Sequence, residues 1–231
     1  TEKVEVASRY HGVEVVEHYR WLEDATDPKV KAWSDAQDAY ARAYLDAIPG
    51  LATLTEELEA IMGAKVQRHW SFTSAQGHLL AIRDAPPKQQ PFLVELESMD
   101  STQARVVFDP MVFDPEGLTH IDWYRLSPDG EKVAISLSRA GSEVGDLHVI
   151  DRATGQPIEA PIERVNAGTA GGAVAWDPDS KGFFYTRYPR DGEQAPEEMS
   201  LHVRVFHHEL GADPKDDRYE LGEGFPAIAE Y

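Results

Sequence analysis

The chain contains no cysteine in 231 residues. Disulfides, thiolate metal sites and cysteine nucleophiles are thereby excluded; such a composition suits the cytoplasm, with the periplasm as the alternative compartment. Positive charge is scarce as well, with 22 Lys and Arg against 41 Asp and Glu and a formal net charge of −19. A polyanion meets repulsion from such a chain, so neither nucleic acid nor an anionic membrane is expected as a partner. Long apolar runs are missing: none approaches the roughly 18 residues of a membrane span. The opening Thr1-Glu2-Lys3-Val4 also lacks the charged-then-apolar layout of a signal peptide. Because the chain does not start with Met, further residues, a leader included, are expected upstream. What is present is ordinary for a folded protein, with 42% hydrophobic, 27% charged and 10% aromatic residues. At about 150 residues per domain, the length corresponds to roughly one and a half domains.

The first sixty-odd residues read as helical and the remainder as strands, which places a boundary near Val66 and divides the chain into 1–65 and 66–231. Asp27-Pro28-Lys29 opens a helix with an N-cap and a proline at the first helical position. Val30, Trp33, Gln37, Tyr40, Tyr44 and Ile48 then recur at spacings of three and four, and Pro49-Gly50 ends the helix. Thr53 with Glu56 has the spacing of a capping box for a second helix, whose Leu54, Leu58, Ile61 and Met62 share a face up to Gly63. Two helices cannot bury both stripes on each other alone, so a further surface is expected to cover them.

From Val66 onward the sequence breaks into short Val-, Ile-, Phe-, Tyr- and Trp-rich segments between turn signals. They fall into three groups. The first is His69–Ser74, His78–Ala85, Phe92–Glu97 and Arg105–Phe108. The second is Ile121–Leu126, Lys132–Ser138, Asp146–Ile150 and a weaker Pro157–Ala160. The third is Ala173–Trp176, Gly182–Tyr188, Leu201–His208 and Arg218–Leu221. Ser127-Pro128-Asp129-Gly130 and Asp177-Pro178-Asp179-Ser180 align at an offset of 50, and Ser74–Gly77 lies about one period upstream. Four strands per repeat of about 40–50 residues is the pattern of a β-propeller blade. About 165 residues hold roughly 3.3 such blades, whereas closed propellers have 4–8. Phe225–Tyr231 reads as the opening strand of a fourth blade. The expectation is therefore the N-terminal portion of a longer polypeptide, an open β-domain being the weaker alternative.

A search for chemistry returns little. No G-x-S-x-G elbow is present, and Ser142 in Ala140-Gly141-Ser142-Glu143-Val144-Gly145 has the wrong spacing, so it reads as a hairpin-loop serine. His202, His207, His208 and Glu209 form a His-rich cluster, but neighbouring strand residues point to opposite faces, and no H-E-x-x-H supplies helical spacing. A structural role is the preferred reading. Asp213, Asp216 and Asp217 lack the calcium-loop pattern and read as a solvated turn. Glu193, Glu197 and Glu198 read as residues keeping an exposed loop wet. Tyr19-Arg20-Trp21-Leu22-Glu23-Asp24 could anchor the N-terminal segment on another domain through Trp21 and Arg20; a local helix start is the simpler reading.

His11-Gly12-Val13, the Tyr19–Asp24 run, Trp33, Gln37 and Tyr44-Leu45 together resemble the N-terminal signature of the prolyl oligopeptidase family of serine peptidases. The resemblance continues through Val107–Pro110, Leu126–Ala134, Ala175–Tyr185 and His207–Asp213, and so spans nearly the whole chain. It implies a seven-bladed propeller inserted into an α/β-hydrolase domain on which the N-terminal helices pack. It also implies hydrolysis of short peptides after proline, sometimes alanine, by a Ser-Asp-His triad with backbone oxyanion donors. The propeller's implied role is steric, restricting access to small or unfolded peptides. None of the triad residues is among these positions. Before the tryptophan of the third blade, where the family can place an aromatic pocket residue, this chain has Gly168-Thr169-Ala170-Gly171-Gly172-Ala173, which puts strict proline selectivity in doubt.

The expected fold is thus mainly β, a helical segment followed by the first blades of a propeller. The expected function is the front part of a serine endopeptidase, partnered by a short peptide substrate and its own hydrolase domain, without cofactor. No catalytic, substrate-binding or metal residue is assigned. Two alternatives stand beside it: a non-catalytic propeller serving as a protein-binding scaffold, and a relative of acylaminoacyl- or dipeptidyl-peptidase type, which the Tyr19–Asp24 run disfavours.

Overall fold

The computed structural model describes residues 1–63, 66–167 and 171–228. It divides into two units, Thr1–Ala64 and Lys65–Tyr231.

The first unit corrects the all-helical expectation for the N-terminus. Val6–Tyr10 (β1) and Val13–Glu17 (β2) form an antiparallel hairpin with Tyr10 opposite Val13. His11 and Gly12 turn it with φ of 47° and 85°, the two positive values that a tight two-residue hairpin needs. Asn-Gly is the commoner signal, and His-Gly hid this one. A 3-10 turn at Arg20–Leu22 follows, as the local reading of that run expects. Arg20 donates to Ser8 at 2.7 Å and pairs with Glu17 at 3.1 Å. Trp21 packs edge-on against Trp33, 6.4 Å between ring centres, with the Lys29 ammonium 4.8 Å above its ring.

Pro28–Leu45 (α1) starts as its sequence dictates, the Asp27 carboxylate accepting the Lys29 N–H at 2.8 Å. Leu51–Met62 (α2) begins earlier than the Thr53 capping box implies. Gly50, at φ 86°, reverses the chain directly after the first helix and becomes the cap, a conformation glycine adopts without strain. Of this unit only Val30 is buried among the described residues. Tyr40, Tyr44, Leu54, Leu58, Ile61 and Met62 are each at least half exposed, so the second apolar stripe and the later part of the first are exposed.

Among its described residues the second unit forms three four-stranded antiparallel sheets, each laid out in chain order. The first contains Arg68–Ala75 (β3), His78–Asp84 (β4), Phe92–Leu96 (β5) and Ala104–Phe108 (β6). The four-residue helix Pro110–Phe113 (α3) leads to the second sheet: Thr119–Leu126 (β7), Lys132–Arg139 (β8), Gly145–Asp151 (β9) and Ile162–Asn166 (β10). The third is Val174–Trp176 (β11), Gly182–Arg187 (β12), Arg204–Glu209 (β13) and Arg218–Leu221 (β14). These are blades of a partial β-propeller.

One strand moves relative to the sequence reading. Pro157–Ala160 does not form the outer strand of the second blade; Pro157 makes a single bridge with Ile150, and pairing resumes at Ile162 opposite Leu147. Pro157 and Pro161 lack the N–H a ladder needs, so the strand starts beyond both. In the third blade, β13 begins at Arg204 rather than Leu201, because the 3-10 turn Pro196–Glu198 and the positive φ of His202 keep the chain out of the sheet until then.

Packing follows the period-2 alternation of the strands. Val133, Ile135 and Leu137 of β8 join Leu80, Ile82, Leu93 and Phe108 in one core between the first two blades. Ala134, on the other face of β8, joins Leu147, Val149, Phe183, Tyr185 and Phe206 in a second core between the second and third blades. The repeated turns are superimposable in their bonding. Gly130 donates to Ser127 and Ser180 to Asp177, both at 2.9 Å. Adjacent turns also touch, for Gln76 donates to the Pro128 carbonyl at 3.3 Å and the Asp129 N–H to Ser180 Oγ at 3.0 Å.

Candidate functional site

The first strands of the first two blades each carry a register irregularity, between Trp70 and Thr73 in β3 and between Ile121 and Trp123 in β7. An extra residue bends a strand and re-aims its side chains. Here a cleft of about 630 Å³ lies beside both, lined among others by Trp70, Phe72, Gln90, His120, Asp122, Trp123 and Arg125. That volume lies within the roughly 300–1,000 Å³ of small-ligand sites.

Tyr124 ties the two strands together by donating its hydroxyl to the Ser71 carbonyl, and burial pushes its phenol pKa well above the usual tyrosine value. Trp70 and Phe72 offer apolar surface at 41% and 39% exposure. Trp123 is fixed by an indole N–H bond to the Asn166 side-chain oxygen at 3.1 Å, with the Arg125 guanidinium 5.8 Å from its ring.

One wall carries a polar group that sequence reasoning missed. Asp122 accepts hydrogen bonds from Ser136, at 2.7 Å, and from Ser138. His120 Nε2 lies 2.9 Å from Ser138 Oγ and 3.3 Å from Asp122 Oδ1. Ser, His and Asp meet here, but not in the order that nucleophilic catalysis requires. Ser138 is buried at 1% exposure and gives its proton to Asp122, so no imidazole base stands between serine and carboxylate. The network holds β7 to β8, with His120 directly opposite Ser138 in the register. The available signal was alternation: residues 120 and 122 share one strand face, as do 136 and 138. Chemically, the cleft offers aromatic surface with one polar edge, which suits holding a ligand.

The residues singled out from sequence lie elsewhere; His208 meets Asp217 and His202 lies near Glu198, but they do not gather into one site. Ser142 Oγ accepts the Val144 N–H at 3.3 Å in an exposed turn. His207 and His208 do point to opposite faces: His207 reaches Asp177 at 2.8 Å, and His208 reaches Asp217 at 2.7 Å. His202 lies 3.7 Å from Glu198, and Glu209 is exposed at the end of β13. Asp213 accepts the Lys215 N–H at 3.0 Å, as a turn residue does. Asp217 departs from the solvated-turn expectation, since its carboxylate is 2% exposed and accepts from Tyr185 at 2.7 Å. Glu193 is exposed, as expected of a loop acid, and has a further role. It grips Arg187 through two bonds of 2.7 and 3.1 Å and accepts the Arg190 N–H at 2.9 Å, so it anchors its loop. Arg187, 4.2 Å from the Phe206 ring, helps depress the Glu193 pKa against the effect of burial. Glu197 and Glu198 sit on the Pro196–Glu198 turn.

Residues 168–170 of the glycine-rich stretch and the last three of Phe225–Tyr231 lie outside the described residues. Within the described part, a Cβ at Gly172 would meet the Val165 carbonyl oxygen at 2.2 Å, a close approach that only glycine permits. The Ala227 carbonyl accepts the His202 N–H at 2.7 Å.

Comparison with known proteins gives a consistent picture. Residues 1–223 match the family described as prolyl oligopeptidase, N-terminal beta-propeller domain. Prolyl oligopeptidase A of Galerina marginata is 27% identical over 230 residues, covering 89% of this chain and 30% of the relative. The prolyl endopeptidase of Elizabethkingia meningoseptica is 27% identical over 235 residues, covering 98% and 31%. A solved prolyl endopeptidase, studied for inter-domain dynamics in catalysis and specificity, superposes with a TM-score of 0.79 at 30% identity, covering 95% of this chain and 32% of that one. Prolyl oligopeptidase B of Galerina marginata, solved with a 35-residue substrate, shares the fold at 22% identity and a TM-score of 0.75, covering 97% and 34%. The chain spans about 30% of the length of the curated relatives it matches.

Proposed function

The chain belongs to the prolyl oligopeptidase family, as its N-terminal β-propeller region, and from that premise we propose that it serves a serine endopeptidase that cleaves short peptides after proline, with alanine also accepted. Hydrolysis is carried out by a Ser-Asp-His triad on an α/β-hydrolase domain, with serine attacking, histidine moving the proton and backbone N–H groups holding the oxyanion. The propeller limits the size of the peptide that reaches that site, and the aromatic cleft between the first two blades receives part of the substrate chain. Residues 1–65 pack on the hydrolase domain, covering the stripes of Tyr40, Tyr44, Leu54, Leu58 and Ile61. Such stripes are costly to leave in water. A chain without cysteine operates without penalty in the cytoplasm, where we place it.

The observation that carries this reading is the family match over residues 1–223, to which the three blades give a physical form. Support for a partner domain is that the chain covers only about 30% of the length of the peptidases it matches. The test is an intact-mass measurement on the native protein, labelling with a fluorophosphonate probe, and turnover of matched Pro and Ala peptides of increasing length. One labelled serine, cleavage after proline and a fall in turnover with peptide length are expected. A protein that labels nowhere and cleaves neither peptide would overturn the proposal in favour of a binding scaffold.

A further inference from the structure

His208 is a fully buried polar side chain of the third blade that plays no part in the aromatic cleft. It sits on β13 at 0% exposure with Phe183 of β12 packed 5.2 Å away, ring centre to ring centre. Both of its ring nitrogens face carboxylates. Nδ1 is 2.7 Å from Asp217, just before β14 of the same blade, and Nε2 is 3.3 Å from Oε1 of Glu159, which the second blade contributes from the segment between β9 and β10. The two carboxylates are themselves held in place. Asp217 accepts the Tyr185 hydroxyl at 2.7 Å, and the other oxygen of Glu159 accepts the Gly211 N–H at 2.9 Å.

Only a doubly protonated imidazole has an N–H for each carboxylate. A neutral ring would turn a lone pair toward one of them, in a site where water does not replace the lost donor. Glu159 Oε1 and His208 Nε2 are both buried and have no hydrogen-bond partner of good geometry, so this ion pair is what balances each of them. We propose that His208 is a proton-operated clasp between the second and third blades, closed while the imidazole carries both protons and loosened when it loses one.

The other charged groups around it do not offset this arrangement. Tyr185, on β12, is kept protonated by burial and by Asp217. Arg187 at the end of β12 is engaged with Glu193, and Arg190 donates to the Pro214 carbonyl at 3.4 Å; both act on Tyr185 from a distance. His207, the neighbour on β13, faces the opposite side and Asp177. The Lys181 ammonium points to Asp179, at 3.7 Å. Burial works to lower the pKa of His208, but the hydrogen bonds and charges of Glu159 and Asp217 outweigh it, and the pKa is raised above the ordinary histidine value. The sign follows: a raised folded-state pKa gives stabilisation that is complete below the unfolded value near 6.5 and is lost as pH rises through the raised value.

The test is amide hydrogen exchange on the protein between pH 5.5 and 9, corrected for intrinsic base catalysis, with a parallel NMR titration of the His208 ring. The reporters are Gly211, bonded to Glu159, and Leu210, bonded to Lys181 across the blade, with Leu93 of the first blade as control. His208 is expected to titrate above 6.5. Protection of Gly211 should fall roughly tenfold for each pH unit by which the folded pKa exceeds the unfolded one, then level off, while Leu93 stays constant. Glu159→Gln should lower the His208 midpoint and flatten the Gly211 profile, and His208→Gln should abolish the pH dependence. If His208→Gln does not fold, the wild-type titration and Glu159→Gln still decide. A ring that titrates at or below 6.5, or Gly211 protection that does not change with pH in the wild type, would overturn the proposal.

Discussion

The seam between the first and second blades depends on one carboxylate, and removing it should cost more than the loss of an ordinary surface ion pair. Glu95 of β5 is 16% exposed, with His78 Nδ1 at 2.6 Å and Arg152 of the second blade at 2.6 Å; Arg105 of β6 also donates to it. Arg152, 14% exposed, donates in addition to the Gly130 carbonyl at 2.6 Å, and Arg105 reaches the Arg152 and Ala153 carbonyls at 3.0 Å each. Burial works to raise the pKa of Glu95, but the hydrogen bonds from Arg105 and His78 overcome it, and the net shift is downward. Glu95→Ala leaves two guanidinium groups facing each other across a nearly closed seam. Breaking a buried pair costs about 3–5 kcal/mol, and the partial exposure of Arg105 places this case at the lower end, near ~3 kcal/mol. For a folded unit of 150–250 residues that is a fall in Tm of roughly 6–12 °C. Glu95→Gln keeps an acceptor and should cost about 1–2 kcal/mol. Urea denaturation of both variants and of Arg152→Ala, completed as a double-mutant cycle, separates the pairing from the packing, with an expected coupling of about 1–3 kcal/mol. A Glu95→Ala change within ~0.5 kcal/mol of wild type, the range of ordinary surface substitutions, would refute the reasoning.

Gly130 has a φ of 73°, and a Cβ there would meet the Ala75 carbonyl oxygen at 3.1 Å, so Gly130→Ala should destabilise by about 1–3 kcal/mol in chemical denaturation. Asp129 is affected first by burial, which raises its pKa, but bonds from Lys132 and Ser127 lower it to about 2. Its stabilisation is therefore present above the unfolded value near 3.9 and is lost as pH falls toward 2, so Asp129→Asn should flatten the acid limb of a stability-against-pH curve in that window. Trp70→Ala with Phe72→Ala should cost stability on the order of a few kcal/mol in a urea titration run beside the binding assay, because the rings are only about 40% exposed. The same pair should weaken binding of a proline-containing octapeptide by about 1–3 kcal/mol in calorimetry, and unchanged affinity would remove the cleft from the substrate path.

Features set by neighbours in the chain were legible in the sequence. Asp27-Pro28 starts α1 because a carboxylate beside an N-terminal proline satisfies an orphan N–H over two residues. The turns at Ser127–Gly130 and Asp177–Ser180 announce themselves for the same reason, since their bonds close within three residues. The short apolar runs of β4, β5, β8 and β12 between turn signals identify strands because such runs must leave water on both faces. Resemblance carried through the ordered motifs to the family, and the blades bear that out.

What escaped the sequence depends on how strands and loops meet within a blade and, for Glu159, on which blade stands beside which. The His120, Asp122, Ser136 and Ser138 network requires knowing the pairing of β7 with β8 and the bulge that shifts it. Glu193 is the exposed loop acid it reads as, but its grip on Arg187 was not legible, and Asp217 looked solvated until Tyr185 and His208 were seen to enclose it. Glu159 lies in a segment read as a strand, which the flanking prolines instead release to reach Gly211 and His208 of the next blade. Local patterning records the period of a strand and the closure of a turn. It does not record the partner of a charged side chain some fifty positions away, because that partner is set by the packing of one sheet on the next, and there the tertiary structure alone decides.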